Sequence, residues 1–369
     1  GVGEGALPSR GQLRGGGATG LGAGKITSSG RWSGDTRALA ATSLGNDGLW
    51  QGVNGLNLSG DTLVTGEHAR TLSGGQLTLN GGQLTTGGTL QGERVNVNAD
   101  DWYLDGSLLS KGDLTARVGS TLNLPGLLVS QGAMDIQAQT VSNDGQILSA
   151  GDAILSGRTL VNTGTLQGKT LTAHQGSIDN SGTIIGLDGL TLDGQPAPVA
   201  RPFAMARLAM AVPALALSNT DTGKLLTQGS LDIHAGAVNN SGLWQGNRIL
   251  LAAASLDNQG AVQSAGDLSM DLADSLTTGT GGKITAMGNA ALTALALTNQ
   301  GQWAAGHLSL KGDSLNNGGA ISGSEALTAT IDNTVTQQAG STLASDGELN
   351  LNAASVDNQG KLQAGRLTL

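Results

Sequence analysis

The stretch "AASLDNQG", residues 253–260, returns as "AASVDNQG" at 353–360 with seven of its eight residues unchanged. Its core is an apolar residue, any residue, Asn, any residue, Gly. That phrase recurs as "VSNDG" (141–145), "LVNTG" (160–164), "IDNSG" (178–182), "VNNSG" (238–242) and "LTNQG" (297–301). The asparagines Asn143, Asn162, Asn180, Asn240, Asn258, Asn299 and Asn358 are separated by 19, 18, 60, 18, 41 and 59 positions. Each gap is one, two or three units of about 20 residues, so the chain is built from a repeated unit. Degenerate copies fill two gaps: "LSNTDTG" supplies Asn219, and "VTQQAG" supplies Gln337.

A second phrase runs in step with the first. Gly followed by apolar residues at alternate positions appears in "GDLTA" (112–116), "GDLSM" (266–270), "GHLSL" (306–310) and "GELNL" (347–351). Alternation of this kind reads as a half-buried strand. Between the two phrases lies a third short run such as "AVQSAG". One unit therefore holds about three short strands separated by Gly, Asn, Asp or Ser corners.

Composition agrees with a repeated, thin-cored architecture. Gly is 61 of 369 residues without the every-third spacing of collagen, and aromatic residues are only 2% of the chain. Leu, Val, Ile and Ala must supply the packing. A formal charge of −9 argues against nucleic acid as a partner, because phosphate contacts need basic stripes. Cysteine is absent. The longest apolar run, "FAMARLAMAVPALAL" (203–217), is broken by Arg207 and Pro213 and is too short to span a bilayer. The opening "GVGEGALPSR" has neither a basic start nor an apolar run, so an export signal is expected to lie outside this piece.

These features predict an all-β fold, a right-handed parallel β-helix of about 20-residue coils with one short helical or loop insertion. Stacking would align Asn143, Asn162, Asn180, Asn219, Asn240, Asn258, Asn299 and Asn358 into a structural Asn ladder, each amide bonding to the next coil. Asn and Gly would also supply the left-handed conformation of a sharp corner. "WQG" at 50–52 and 244–246 replaces "LQG" at 90–92 and 166–168, which places those Trp residues at a roomy edge and not in the narrow core. The expected organisation is an irregular Gly-rich lead-in over 1–24, coils over 25–193, an insertion over 194–213, and coils from 214 to 369 that continue beyond the piece.

Chemistry was sought and not found in the pattern. Asp113 and Asp152, like Asp267 and Asp313, stand about two coils apart with no basic cluster beside them, which reads as a solvated acidic stripe. His68, His174, His234 and His307 are scattered singly, without metal-ligand spacing. No catalytic residue, metal or cofactor is expected.

The passages "VSNDGQILSAGDAIL" (141–155) and "LDNQGAVQSAGDLSMDL" (256–272) resemble the haemagglutinin repeats of filamentous-haemagglutinin-like exoproteins exported by two-partner secretion. That group includes adhesins and the stalks of contact-dependent growth inhibition toxins. The resemblance is clear over 104–369, weaker over 25–103 and interrupted at 194–213. It implies secretion to the bacterial cell surface and an outer-membrane transporter as partner. The leading expectation is then a structural stalk that projects an adhesive or toxic tip. The alternatives are a module that itself binds a receptor or glycan on a neighbouring cell, and, more distantly, a polysaccharide-cleaving enzyme.

The insertion is compositionally alien. Residues 195–213 hold four of the six prolines, the only Phe and two of the five Met. Pro removes ladder hydrogen bonds, so this stretch is not an ordinary coil. A short helix over 202–212 is expected, capped by Pro202 and Pro213. It is read either as an inert insertion or a helix covering an apolar strip, or as a partner contact through Arg201, Phe203, Met205, Arg207, Leu208 and Met210.

Overall fold

A computed structural model describes residues 3–194 and 215–369. Every regular element among them is a strand, and every described strand pairing between successive coils is parallel. The chain divides into two compact units, residues 1–171 and 172–369. Each winds as a parallel β-solenoid.

In the first unit the early coils are single strands of 16–17 residues, and from Arg70–Ser73 to Ala153–Asn162 a four-residue strand alternates with a longer, bent one. Ser107–Ser110 precedes Leu114–Leu124, and Leu127–Ser130 precedes Met134–Asn143. Leu114 pairs with Met134 and Met134 with Ala153, steps of 20 and 19 residues that set the coil length. In the second unit Asn219 lies beside Asn240, and Asn240 beside Asn258, steps of 21 and 18. Flanking residues 195–214, Asn180 pairs directly with Asn219 and Asp193 with His234. No described rung of the ladder comes between them.

Alternation carries the core. Along Leu114–Leu124 the buried positions are Leu114, Ala116, Val118, Leu122 and Leu124, with a two- to three-residue bend after Val118. Stacking turns each buried position into a column. Ile178, Leu217, Val238, Leu256, Leu276 and Leu297 form one such column in the second unit, all 2% exposed or less. Met270, Leu310 and Leu351 point inward as the alternation predicts, and Ser309 points out. The bend itself varies in length, and register shifts fall there at Val118/Thr121, Ala253/Ser255 and Ile331/Thr334.

Three expectations need correction. The Trp residues are not at an edge: Trp50 and Trp244 are 1% and 0% exposed. Trp244 sits in a column between Leu225 and Val262, and Trp50 stacks on Trp32 with ring centroids 5.5 Å apart. The indole's large apolar area makes the core its cheapest place, whatever the width of the neighbouring side chains. Nor are the corner glycines left-handed as a rule. Among the described residues only Gly88 and Gly340 have positive φ. The corners need Gly because coils stack closely: a Cβ on Gly145 would lie 2.0 Å from the Gly126 carbonyl oxygen, and one on Gly164 2.0 Å from that of Gly145. Finally, within 1–24, Gly3–Ser9 and Gln12–Ser28 are strands. The pairing of Gln12–Ser28 with Arg31–Asn46 uses backbone groups, which Gly supplies as well as any residue.

Truncating Leu310 to Ala is expected to cost about 2–5 kcal/mol, against about 0.5 kcal/mol or less for Ser309→Ala. Thermal melts of the two variants check this. Equal tolerance at both positions would show that the strand phase is wrong.

Candidate functional site

The most ordered chemistry in the molecule is the column of amides at the corner before each conserved-spacing Gly. Each Asn ends a strand with its side chain inward, two residues after a buried apolar residue. From there Nδ2 donates to the amide oxygen of the next coil: Asn143 to Asn162 at 2.7 Å in the first unit. In the second unit Asn180 donates to Asn219 at 2.8 Å, Asn219 to Asn240 at 2.9 Å, and Asn240 to Asn258 at 2.8 Å. Asn299 donates to Asn317 at 2.9 Å, and Asn317 to Gln337 at 2.6 Å. The second Nδ2 hydrogen goes to a backbone carbonyl, as from Asn299 to Ala320 at 3.1 Å. All of these amides are 0–1% exposed. The column has a direction: in every pair the earlier coil donates and the later one accepts.

Asn358 shares the register, lying beside Gln337, and its Oδ1 accepts from the Gly360 N–H at 3.2 Å. Two members were missed by the sequence reading. Asn46 and Asn317 stand in "LGNDG" and "LNNGG", which match the phrase in full. Asn46 donates to Thr71 Oγ1 at 2.9 Å.

Thr65 Oγ1 in the column donates to the Gly87 carbonyl at 2.8 Å, while at Thr86 and Thr278 a buried indole takes the place of the neighbouring amide. Trp102 Nε1 donates to Thr86 Oγ1 at 2.8 Å, and Trp303 Nε1 donates to Thr278 Oγ1 at 2.9 Å. Where it carries Leu124, the Asn143 Oδ1 is buried without a partner, because leucine has no hydrogen to give.

The carboxylates also serve the stacking. Asp113 accepts from the Ala133 N–H at 2.9 Å, and Asp267 from the Asn289 N–H at 2.9 Å. Asp152 accepts from Thr170 Oγ1 at 2.7 Å, and Asp313 from Asn333 Nδ2 at 2.6 Å. Each caps the following coil. Hydrogen bonds from Gln83 Nε2 and the Thr121 N–H hold the Asp101 carboxyl below the usual carboxylate range. Arg37 is buried, which lowers its pKa, and it donates to the Leu13 and Ser33 carbonyls. His174 contacts Asp193, and His307 lies 2.5 Å from Glu325 in an exposed pair. Among the described residues no three His, Cys, Asp or Glu side chains group as metal ligands. No helix among them is long and apolar enough to cross a membrane. Arg201, Phe203, Met205, Arg207, Leu208 and Met210, and the helix expected over 202–212, lie outside the described residues.

The model of the haemagglutinin repeat matches residues 103–195, 207–269, 263–333 and 320–369. The chain is 42% identical over 334 residues to a tRNA nuclease CdiA of Escherichia coli strain NC101, covering 90% of this chain and 10% of that protein. It is 42% identical over 355 residues to a 16S rRNA endonuclease CdiA of Enterobacter cloacae, covering 96% and 10%. A deoxyribonuclease CdiA of Dickeya dadantii is 31% identical over 387 residues, covering 97% and 11%. The chain thus spans about a tenth of the length of these relatives. No solved structure matches it.

Asn240→Ala removes the acceptor of Asn219 and the donor to Asn258, leaving buried groups unpaired. The expected cost is about 1–3 kcal/mol. Gln131→Ala, at an exposed amide outside the column, is expected to cost about 0.5 kcal/mol or less. Melting midpoints of the two variants decide whether the amides work as a buried column, and equal shifts would refute it.

Proposed function

This chain belongs to the haemagglutinin-repeat family, and from that premise we propose that it is a stalk segment of a large secreted exoprotein. The segment spaces an adhesive or toxin-delivering tip from the cell that makes it. The observation that carries this reading is the use of the side chains. Amides, indoles and carboxylates along both units are spent on joining one coil to the next. The names of the relatives add support. A tRNA nuclease, a 16S rRNA endonuclease and a deoxyribonuclease share this stretch, so the stretch does not choose the nucleic acid that those proteins cut. We read it as non-enzymatic. The same family membership supports export through an outer-membrane two-partner secretion transporter, a place on the bacterial cell surface, and a receptor on the neighbouring cell.

The segment 194–213 holds Arg201, Phe203, Met205, Arg207, Leu208 and Met210 and is the stretch proposed for partner contact. Its support is its composition and its place in the sequence, between the strand that ends at Asp193 and the one that begins at Ala216. Changes of length between two strands cost little. Replacing 195–213 by a Gly-Ser linker is therefore expected to leave the melting profile unchanged and to reduce attachment to target cells. Unchanged attachment would leave the segment as an inert cover.

The stalk reading is tested within the full-length exoprotein by removing one coil in register. Deleting 241–258 joins Asn240 to Gln259 and keeps the corner phrase, since Asn240 and Asn258 are equivalent. Surface display and action on target cells are expected to persist. Deleting 241–249 breaks the phase, moving buried side chains to the wrong face, and is expected to abolish display. Normal display with lost action after the in-register deletion would mean that these coils do more than space.

A further inference from the structure

The step from one coil to the next in the unit 172–369 is uneven, and the unevenness repeats. Along the amide column, from Asn219 through Asn240, Asn258, Thr278, Asn299, Asn317 and Gln337 to Asn358, the steps are 21, 18, 20, 21, 18, 20 and 21 residues. The row of short strands keeps the same rhythm. From Lys224 through Leu243, Ala261, Lys283, Gln302 and Ala320 to Thr342 the steps are 19, 18, 22, 19, 18 and 22. In both series three coils make 59 residues. The residues agree: Lys224, Gly229 and Trp244 recur without a gap as Lys283, Gly288 and Trp303.

Two landmarks recur once in every three coils. After Asn219, Thr278 and Gln337 the corner is longer than after Asn240 or Asn258, and it closes in a turn. The Gly223 N–H donates to the Thr220 carbonyl at 3.0 Å, Gly282 to Gly279 at 2.9 Å, and Ser341 to Gln338 at 3.1 Å. The next coil lies close under that turn. A Cβ on Gly242 would lie 2.2 and 2.3 Å from the Gly223 and Thr220 carbonyl oxygens, and one on Gly301 2.1 and 2.5 Å from those of Gly282 and Gly279. The second landmark is a longer bend in the coil before each turn: Ala273 and Asp274 together face Ala254, and Asp332 and Asn333 face Asp313. The unit 1–171 holds one copy of the same block. There Ala69 donates to the Gly66 carbonyl at 3.1 Å, and the steps are 21 from Thr65 to Thr86, 18 from Thr86 to Leu104 and 20 from Tyr103 to Asn123. The exposed tips of the turns differ: Glu67 and His68, Asp221 and Thr222, Thr280 and Gly281. Shape recurs and chemistry does not, so the turn belongs to the packing of coils.

We propose that the exchangeable unit of this solenoid is the block of three coils, not the single coil. Each coil is matched to two particular neighbours, as in other stacked repeats whose stability resides in nearest-neighbour interfaces. The turn-bearing coil is matched to the Gly242 or Gly301 coil after it, and the coil with the long bend to the turn-bearing coil that follows. Losing or gaining 59 residues within 219–358 then creates no interface that the parent lacks. Losing one or two coils does. The proposal concerns the fit of coils and does not rest on the stalk reading. If the segment is a stalk, three coils, about 14 Å at roughly 4.8 Å each, is the step by which its length changes.

The test compares the melting midpoints of two deletions made in the full chain. Removing 241–299 joins Asn240 to Gln300 and takes out one block. Asn240 then meets Asn317, the partner that Asn299 has in the parent. Removing 241–278 joins Asn240 to Gly279 and also takes out whole coils, but it sets one turn-bearing coil directly on another. The larger deletion is expected to melt within about 3 °C of the parent, and the smaller about 5 °C or more below it. A midpoint for the smaller deletion equal to or above that of the larger one overturns the proposal. Should neither deletion fold, the matching insertions decide. A second copy of 241–299 placed after Asn299 is expected to keep the parent's midpoint, and a second copy of 241–278 placed after Thr278 to lower it. Equal midpoints for the two insertions, or a block insertion that does not fold, also overturn the proposal.

Discussion

Each coil of this protein satisfies its backbone through the coil before it and the coil after it, and the other features follow from that pairing. A parallel ladder along successive coils fixes equivalent residues at one spacing, so any side chain suited to a position is suited to it again one coil later. Gly164 donates its N–H to the Asn143 carbonyl at 3.0 Å, as Gly145 does to Leu124 at 2.9 Å and Gly126 to Leu104 at 3.0 Å. The same close approach excludes a Cβ at those corners. Sequence periodicity is here a direct consequence of hydrogen-bond geometry.

The amide column adds an asymmetry that the backbone ladder lacks. Each Asn donates toward the C-terminal side and accepts from the N-terminal side, so its amide dipoles align along the stack. Breaks in the column are handled locally. At Thr86 and Thr278 an indole N–H from Trp102 or Trp303 satisfies the hydroxyl. At Leu124 nothing does, and Asn143 keeps an unpaired Oδ1. The Trp residues are thus both core volume and, in two cases, donors that substitute for a missing amide.

The period, the strand phase and the inward face were legible because all three depend on residue type at fixed spacing. Leu310 inside and Ser309 outside need only alternation. Asn46 and Asn317 were equally legible, since "LGNDG" and "LNNGG" carry the phrase; they were missed when spacing alone was followed. The buried Trp positions were not legible, because exchange of Leu for Trp says nothing of how neighbouring coils make room. The pairing of Trp303 with Thr278 joins residues from different coils whose types carry no mutual signal. The corner glycines illustrate a different failure. Their conservation of spacing was visible, but the cause is a stacked carbonyl and not a left-handed turn.

Coupling between neighbouring coils is the claim on which the stalk reading depends, and native-state hydrogen exchange of the Asn240→Ala variant measures it most directly. Nearest-neighbour stacking predicts that lost protection centres on the amides of coils adjoining residue 240, such as Ser241 and Gly260, which donate to the Asn219 and Asn240 carbonyls. Amides of the coil around Gly145 and Gly164 should keep the protection of the parent. Uniform loss of protection from one end of the chain to the other would contradict the account, because it would mean that the coils rise and fall as one cooperative body.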